Sequence, residues 1–259
     1  MSRTRAVVAA VVAGALAVAG CGSDGGDPAA DIAAEGPSGA VTVLAAASLT
    51  DAFAEVAAAF EAAHPEVTVA LSFDGSSALA TSIVEGGVPA DVFASADETT
   101  LQRVVDADLV AGPAQPFATN ALQIVVAEGN PLGITGLADL ADVALALCDP
   151  AVPCGRYAAQ AFARAGLSTP RAGDQGNVKG VLTQVQLGEA DAGIVYVTDG
   201  LSAEGVDRVD VATEAQVVAT YPVGVLAEAP NPVAAGAFVA FLVSPDGQAI
   251  LERFGFGRP

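Results

Sequence analysis

Three short stretches place a hydroxyl or amide side chain between an apolar run and a helical pattern: Ala47-Ser48-Leu49, Asp74-Gly75-Ser76-Ser77 and Gly176-Asn177-Val178-Lys179. Where a strand turns into a helix, the first N–H groups of the helix lack intrahelical partners, and the aligned peptide dipoles add positive potential. Such an edge suits an anion, held by N–H and O–H donors at the C-terminal ends of the strands of an α/β sheet. Taken singly, plain capping of each helix by its own Ser or Asn accounts for each stretch.

Other chemistries find less support. Ser48 or Ser76 as a hydrolytic nucleophile needs a base, and His64, the single histidine, sits at the far end of the helix that Ser48 opens. No Gly-x-Ser-x-Gly elbow is present. Cys148 and Cys154 lack zinc-site spacing and histidine partners. Arg156 and Lys179 read as solvated residues near the rim of a cleft, and His64 as an exposed helix-end residue.

The elements that would position these residues alternate. From Ala40, short apolar runs and helix-period segments succeed one another, the pattern of βαβ units and a mainly parallel sheet. Val41–Ala47 reads as a buried strand. Leu49, Phe53, Val56 and Phe60 recur at helical spacing, with Ser48 and Asp51 as a capping box and His64-Pro65 as the stop. Val67 to Phe73 alternates as a half-buried strand, and the next helix carries Leu79, Ile83 and Val84. Ala90–Ala96 is a third strand, with Asp97 capping a helix that runs to about Ala107. Further strands are expected at Leu122–Ala127, Val143–Leu147, Asp191–Val197 and Tyr221–Leu226. Helices are expected at about 155–165, 177–187, 232–243 and 245–254. The fold class is α/β in two lobes, residues 40–119 with 222–259 and residues 120–221, with crossings near 117–122 and 219–223.

Composition narrows the partners. Hydrophobic residues make up 53% of 259, mostly Ala and Val, with no Trp, so a large core forms and no stacking platform for flat ligands is provided. The formal net charge of −20 excludes a phosphate-neutralising nucleic-acid surface. It also repels anions at long range, so an anion site here must work through short-range donors.

Arg3 and Arg5 precede an apolar run from Ala6 to Ala19, too short to span a membrane comfortably, which reads as an export signal. The run ends in Val18-Ala19-Gly20-Cys21, which resembles a bacterial lipobox. Residues 1–20 are then a lipoprotein signal peptide, Cys21 is the lipid anchor, and residues 21–39 form a flexible tether. The protein is expected on the outer face of the cell membrane. In that compartment Cys148 and Cys154 are expected to pair as a disulfide around a proline-stiffened loop.

Ala45-Ala46-Ala47-Ser48-Leu49-Thr50-Asp51-Ala52-Phe53 resembles the opening motif of the molybdate-binding proteins of ABC importers. The likeness continues, in order, through Phe73-Asp74-Gly75-Ser76-Ser77, Pro89 to Asp97, Asp149-Pro150, Val152-Pro153-Cys154-Gly155, Gly193-Ile194-Val195-Tyr196 and Tyr221-Pro222-Val223. The resemblance implies a type II periplasmic-binding-protein fold with a ligand between two α/β lobes joined by crossing strands. It implies hydroxyl and N–H donors from Ser48 and Ser76, backbone N–H donors from Cys154 and Val178, and the phenolic O–H of Tyr196. Molybdenum would be present only inside the oxyanion, with no direct protein–metal ligand and no cofactor. Tungstate is a near-isostere; sulfate or phosphate is the alternative, and a serine hydrolase a remote one. The implied partners are ABC permease subunits and the membrane through Cys21, with the protein itself a monomer and not an enzyme. Asp74 departs from the pattern. A carboxylate facing a dianion would repel it, and the expectation is that Asp74 caps its helix and points away.

Overall fold

The computed structural model describes residues 36–86 and 88–259. The expected signal peptide, Cys21 and most of the expected tether lie outside the described residues. Residues 36–259 form one compact unit.

The chain enters as β1 (Gly39–Ala46), whose fully apolar C-terminal half is buried, and passes through a 3₁₀ turn at Ala47–Leu49 into α1 (Thr50–Ala63). Ala52, Phe53, Val56, Ala57 and Phe60 form the buried stripe of α1, as the helical spacing requires. β2 (Val67–Asp74), α2 (Ser76–Val84), β3 (Val92–Ala94) and α3 (Glu98–Val105) follow. The second half comprises β4 (Gln115–Ala127), β5 (Leu145–Cys148), α4 (Pro153–Arg164), β6 (Gly173–Gln175), α5 (Val178–Gln186), β7 (Ala192–Tyr196), α6 (Val197–Ser202) and β8 (Val206–Asp210). β9 (Val218–Val225), α7 (Pro232–Val243) and α8 (Pro245–Arg253) complete it. Among the described residues no single helix is long and apolar enough to cross a membrane.

One mixed sheet runs in the order β2-β1-β3-β9-β4-β7-β5-β6, with β8 also paired to β4. Its two ends are alike. β2, β1 and β3 are mutually parallel and meet β9 antiparallel. β6, β5 and β7 are mutually parallel and meet β4 antiparallel. The long strands β4 and β9 pair with each other from Gln115↔Val223 to Ala121↔Val218, so two antiparallel strands join the two parallel halves. Parallel strands need helical crossovers, which cover both faces and explain the buried apolar runs of the interior strands β1, β3, β5 and β7.

Three sequence expectations change. The third strand is three residues, not seven: Ala90 and Asp91 precede the ladder, and Ser95 and Ala96 leave it, Ser95 N–H reaching Pro222 O at 3.0 Å. β4 begins seven residues earlier than expected, since its first half pairs with β9. The Ser48–Asp51 capping box is not formed: no side chain caps α1, and the Ser48 hydroxyl is used elsewhere.

A donor-lined cavity at the strand ends

The C-terminal ends of the parallel strands converge on one cavity, lined from the first half by Ala46, Ala47, Ser48, Gly75, Ser76 and Ala96. The second half contributes the turns before α4 and α5, through Val152, Pro153, Cys154, Asn177 and Val178, and the end of β7, through Tyr196. Ser48, Ser76, Cys154, Val178 and Tyr196, the five residues singled out from the sequence, all lie on this wall, each buried. About 20 Å³ is open to the centre of a water molecule, which suits a compact ion rather than a sugar or peptide. No lining residue carries a charge.

Each donor is held by local structure. Ser48 sits in the 3₁₀ turn with Oγ 2.9 Å from the hydroxyl of Tyr221. Ser76 is the first residue of α2, and its Oγ accepts the Ala96 N–H at 3.0 Å. Pro153 and Cys154 begin α4, where a proline at the first position forfeits no helical hydrogen bond. Cys154 is in a disulfide with Cys148, the residue ending β5, which ties the strand end to the helix start. Gly155 fits because its α-carbon packs against the chain: a Cβ there would stand 2.1 Å from Asp149 O. Val178 opens α5, capped by Asn177, whose Oδ1 accepts Gly180 N–H at 3.1 Å.

Tyr196 ends β7. It is 1% exposed, and its hydroxyl has no hydrogen-bond partner within the described protein. A buried phenol without a partner costs about 1–3 kcal/mol, and this one leaves an unspent donor on a residue of the cavity wall. Burial holds Tyr196 and Tyr221 well above the ordinary phenol range, opposed at Tyr221 by its hydrogen bond with Ser48. Both stay protonated.

None of the charged residues nearby lines the cavity. Asp74 is exposed and off the cavity wall; Oδ1 accepts from Gly75 N–H at 2.7 Å and from Asn177 Nδ2 at 3.0 Å. Asp74 braces the turn and the opposite half rather than capping α2 as expected. Arg156 and Lys179 are not free rim residues. The Arg156 guanidinium meets Asp97, with Nε at 3.1 Å, and donates to Thr100 Oγ1 at 2.7 Å. Asp97 meanwhile caps α3 through Thr100 N–H at 2.8 Å, as expected. Lys179 Nζ is 2.9 Å from Asp51 and 3.2 Å from Asp199 Oδ1, the second an ion pair off the hydrogen-bonding direction. Burial pushes the Asp199 carboxyl up to about 6 against the pull of Lys179. Burial acts to lower the Lys179 pKa, but Asp199 and Asp51 outweigh it and raise it.

The same contacts cross between halves. Arg156 and Lys179 reach from the second half to Asp97 and Asp51, Ser77 Oγ donates to Ala151 O at 2.8 Å, and a Cβ on Gly75 would stand 2.3 Å from Gly176 O. His64 caps the far end of α1, half-buried against the Phe60 ring with centroids 4.6 Å apart. Fourteen helical residues separate it from the Ser48 turn, a span of roughly 20 Å, so the two form no nucleophile–base pair. Among the described residues no cluster of His, Cys, Asp or Glu could hold a metal ion. Sequence reasoning missed Tyr221 and the pairing of Arg156 with Asp97, contacts that span over fifty positions and leave no local signal.

The chain is similar to known proteins in sequence and in fold. The Molybdate-binding protein ModA of Mycobacterium tuberculosis is 41% identical over 262 residues, covering 99% of this chain and 97% of that protein. A putative ABC transporter substrate-binding lipoprotein of Bacillus subtilis, YvgL, is 30% identical over 226 residues, covering 83% and 85%. The structure of the Azotobacter vinelandii periplasmic molybdate-binding protein superposes with a TM-score of 0.75 at 18% identity, covering 85% of this chain and 99% of that one, a likeness of fold. The family model for bacterial extracellular solute-binding proteins matches residues 41–257, and the chain belongs to that family.

Proposed function

We propose that the protein captures molybdate outside the cytoplasm and delivers it to the permease of an ABC importer. The carrying observation is the cavity itself: two serine hydroxyls, an unpartnered phenol and the first N–H groups of two helices, with no charged side chain on its wall. Neutral donors suit a fully ionised dianion. An oxyanion that keeps a proton needs an acceptor, and the wall carries no carboxylate to serve as one. The name of the M. tuberculosis relative supports molybdate over sulfate. Tungstate, of the same charge and shape, is bound by the same donors.

In this reading the protein binds and does not catalyse. Ser48 and Ser76 act from a first lobe, residues 40–119 and 222–259, and Cys154, Val178 and Tyr196 from a second, residues 120–221. A ligand touching both favours their closure around β4 and β9, and the closed form is what the permease recognises. Lipidation at Cys21 keeps a monomeric receptor at the membrane face, in keeping with the lipoprotein named among its relatives. Titration calorimetry with molybdate, tungstate, sulfate and phosphate tests the assignment. Tight binding of the first two is expected; tight sulfate or phosphate binding with negligible molybdate affinity overturns it.

A further inference from the structure

Both serines on the cavity wall are wired to the protein in an unusual sense. Thr50, Thr81 and Thr183 each donate their hydroxyl hydrogen to a backbone carbonyl three or four residues back, at 2.7, 2.9 and 2.8 Å. Ser48 and Ser76 do not. Ser76 Oγ instead receives the Ala96 N–H, so its own hydrogen stays free for the cavity. The Ser48 hydroxyl meets the hydroxyl of Tyr221 at 2.9 Å, a contact that could run either way by distance alone.

Tyr221 decides the direction. It lies on β9, is fully buried, and does not line the cavity. Its ring is boxed in by aromatic faces: Phe117, Tyr196 and Phe256, with centroids 6.2, 5.8 and 5.6 Å away. Asn120 is engaged elsewhere, its Nδ2 donating to Thr198 Oγ1 at 2.9 Å and its Oδ1 accepting the Ala121 N–H at 2.9 Å, so among the described residues Ser48 Oγ is the one hydrogen-bond partner of the Tyr221 hydroxyl. Ser48 Oγ is then the acceptor available to the Tyr221 hydrogen. Were Ser48 to donate instead, a wholly buried O–H would be left without an acceptor, the costlier of the two arrangements.

We propose that Tyr221 is a specificity-setting positioning residue: by donating to Ser48 Oγ it commits the Ser48 hydrogen to the cavity, so the site presents donors and discriminates against oxyanions that carry a proton. Resting on the oxyanion-binding reading above, this assigns the selectivity to a residue that never touches the ligand. Without the Tyr221 hydroxyl, Ser48 can rotate and present a lone pair, accepting the hydrogen of a monohydrogen oxyanion.

A double-mutant cycle in the full protein tests this, using Tyr221→Phe and Ser48→Ala, read by calorimetry with molybdate and with phosphate at a pH where it is monohydrogen phosphate. Y221F is expected to weaken molybdate roughly tenfold while phosphate affinity holds or rises, and to have no further effect on molybdate in the S48A background. Equal losses for both anions, or the same loss with and without Ser48, overturn the proposal. Wild-type protein that binds no tetrahedral oxyanion brings down the functional reading and this inference together; additive losses in a protein that binds molybdate bring down this inference alone. Should Y221F fail to fold, proton NMR of the wild type decides. A slowly exchanging Tyr221 phenolic proton with a nuclear Overhauser contact to the Ser48 β-protons is expected, and a phenolic proton directed elsewhere overturns the assignment.

Discussion

At Tyr196 two costs separate cleanly. Its hydroxyl is buried and unpartnered in the protein, so it adds no hydrogen bond to the fold, and in the proposed function its hydrogen goes to the bound anion. Tyr196→Phe should therefore leave the thermal midpoint of the ligand-free protein unchanged or slightly raised. The same change should weaken anion binding by about tenfold to a hundredfold, the worth of a hydrogen bond to a charged acceptor. A fall in both quantities together, by thermal unfolding and calorimetry, would show a packing role instead. Asp199 gives a second residue-level test. Its folded pKa, raised by burial to about 6, lies above the unfolded value, so the folded state binds more protons between roughly pH 4 and 6. The sign follows: this group's stabilising contribution is present below pH 4 and is lost as pH rises through 6. Asp199→Asn should remove that slope, so the difference in stability between variant and wild type shifts in the variant's favour from pH 4 to 7. Thermal unfolding over that range measures it, and a difference that is flat or of the opposite sign contradicts the assignment.

The elements that carry the donors are short turns, and two changes address them. Gly75 has φ −58° and ψ 131°, a conformation alanine adopts freely, yet its Cβ would stand 2.3 Å from Gly176 O in the opposite half. Gly75→Ala should thus prop the halves apart without unfolding either. Small-angle scattering should show a more open molecule in the presence of ligand, with binding greatly weakened and the thermal midpoint nearly unchanged. The Cys148–Cys154 bridge closes a separation of six residues. Chain entropy alone makes such a link worth about 2 kcal/mol, or roughly 4–8 °C in a domain of this size. Cys148→Ser should show that drop in the thermal midpoint together with weaker binding, because the Cys154 N–H sits inside the loop the bridge fixes. Much at this scale was legible in the sequence. Helix α1 announced itself by its period and the interior strands β1, β5 and β7 by apolar runs, while β6, Gly173-Asp174-Gln175, was not expected at all. β8 was not expected: Val206-Asp207-Arg208-Val209-Asp210 is mostly polar and exposed, held by pairing with β4 rather than by its own pattern. α6 was missed as well, since six residues through Thr198-Asp199-Gly200 read locally as a turn. The five wall residues came from a family resemblance; spacing alone could not distinguish Ser48 at the cavity from Ser48 as a helix cap. Tyr221 was beyond reach because its partner lies 173 positions away.

The molecule as a whole is strongly acidic, with a formal charge of −20, yet its proposed cargo is a dianion. The field of the whole protein opposes association, while the short-range donors of the cavity favour it. Salt should then act against the usual trend for anion sites. Raising ionic strength shortens the screening length from about 30 Å at 10 mM to about 8 Å at physiological salt, so association in stopped-flow measurements should speed up modestly instead of slowing. A rate that falls with salt would mean that exposed cations steer the ligand, contrary to the pairing of Arg156 and Lys179 with carboxylates. The central claim is a placement: one oxyanion held between two halves of a continuous sheet by neutral donors. A crystal grown with molybdate, measured at the molybdenum absorption edge, tests it most directly. The account predicts one dominant anomalous peak in the cavity, its oxygens within hydrogen-bond reach of the Ser48, Ser76 and Tyr196 hydroxyls and the Cys154 and Val178 N–H groups. A dominant peak elsewhere, or one in which Arg156, Lys179 or Asp74 contacts the anion directly, would contradict it.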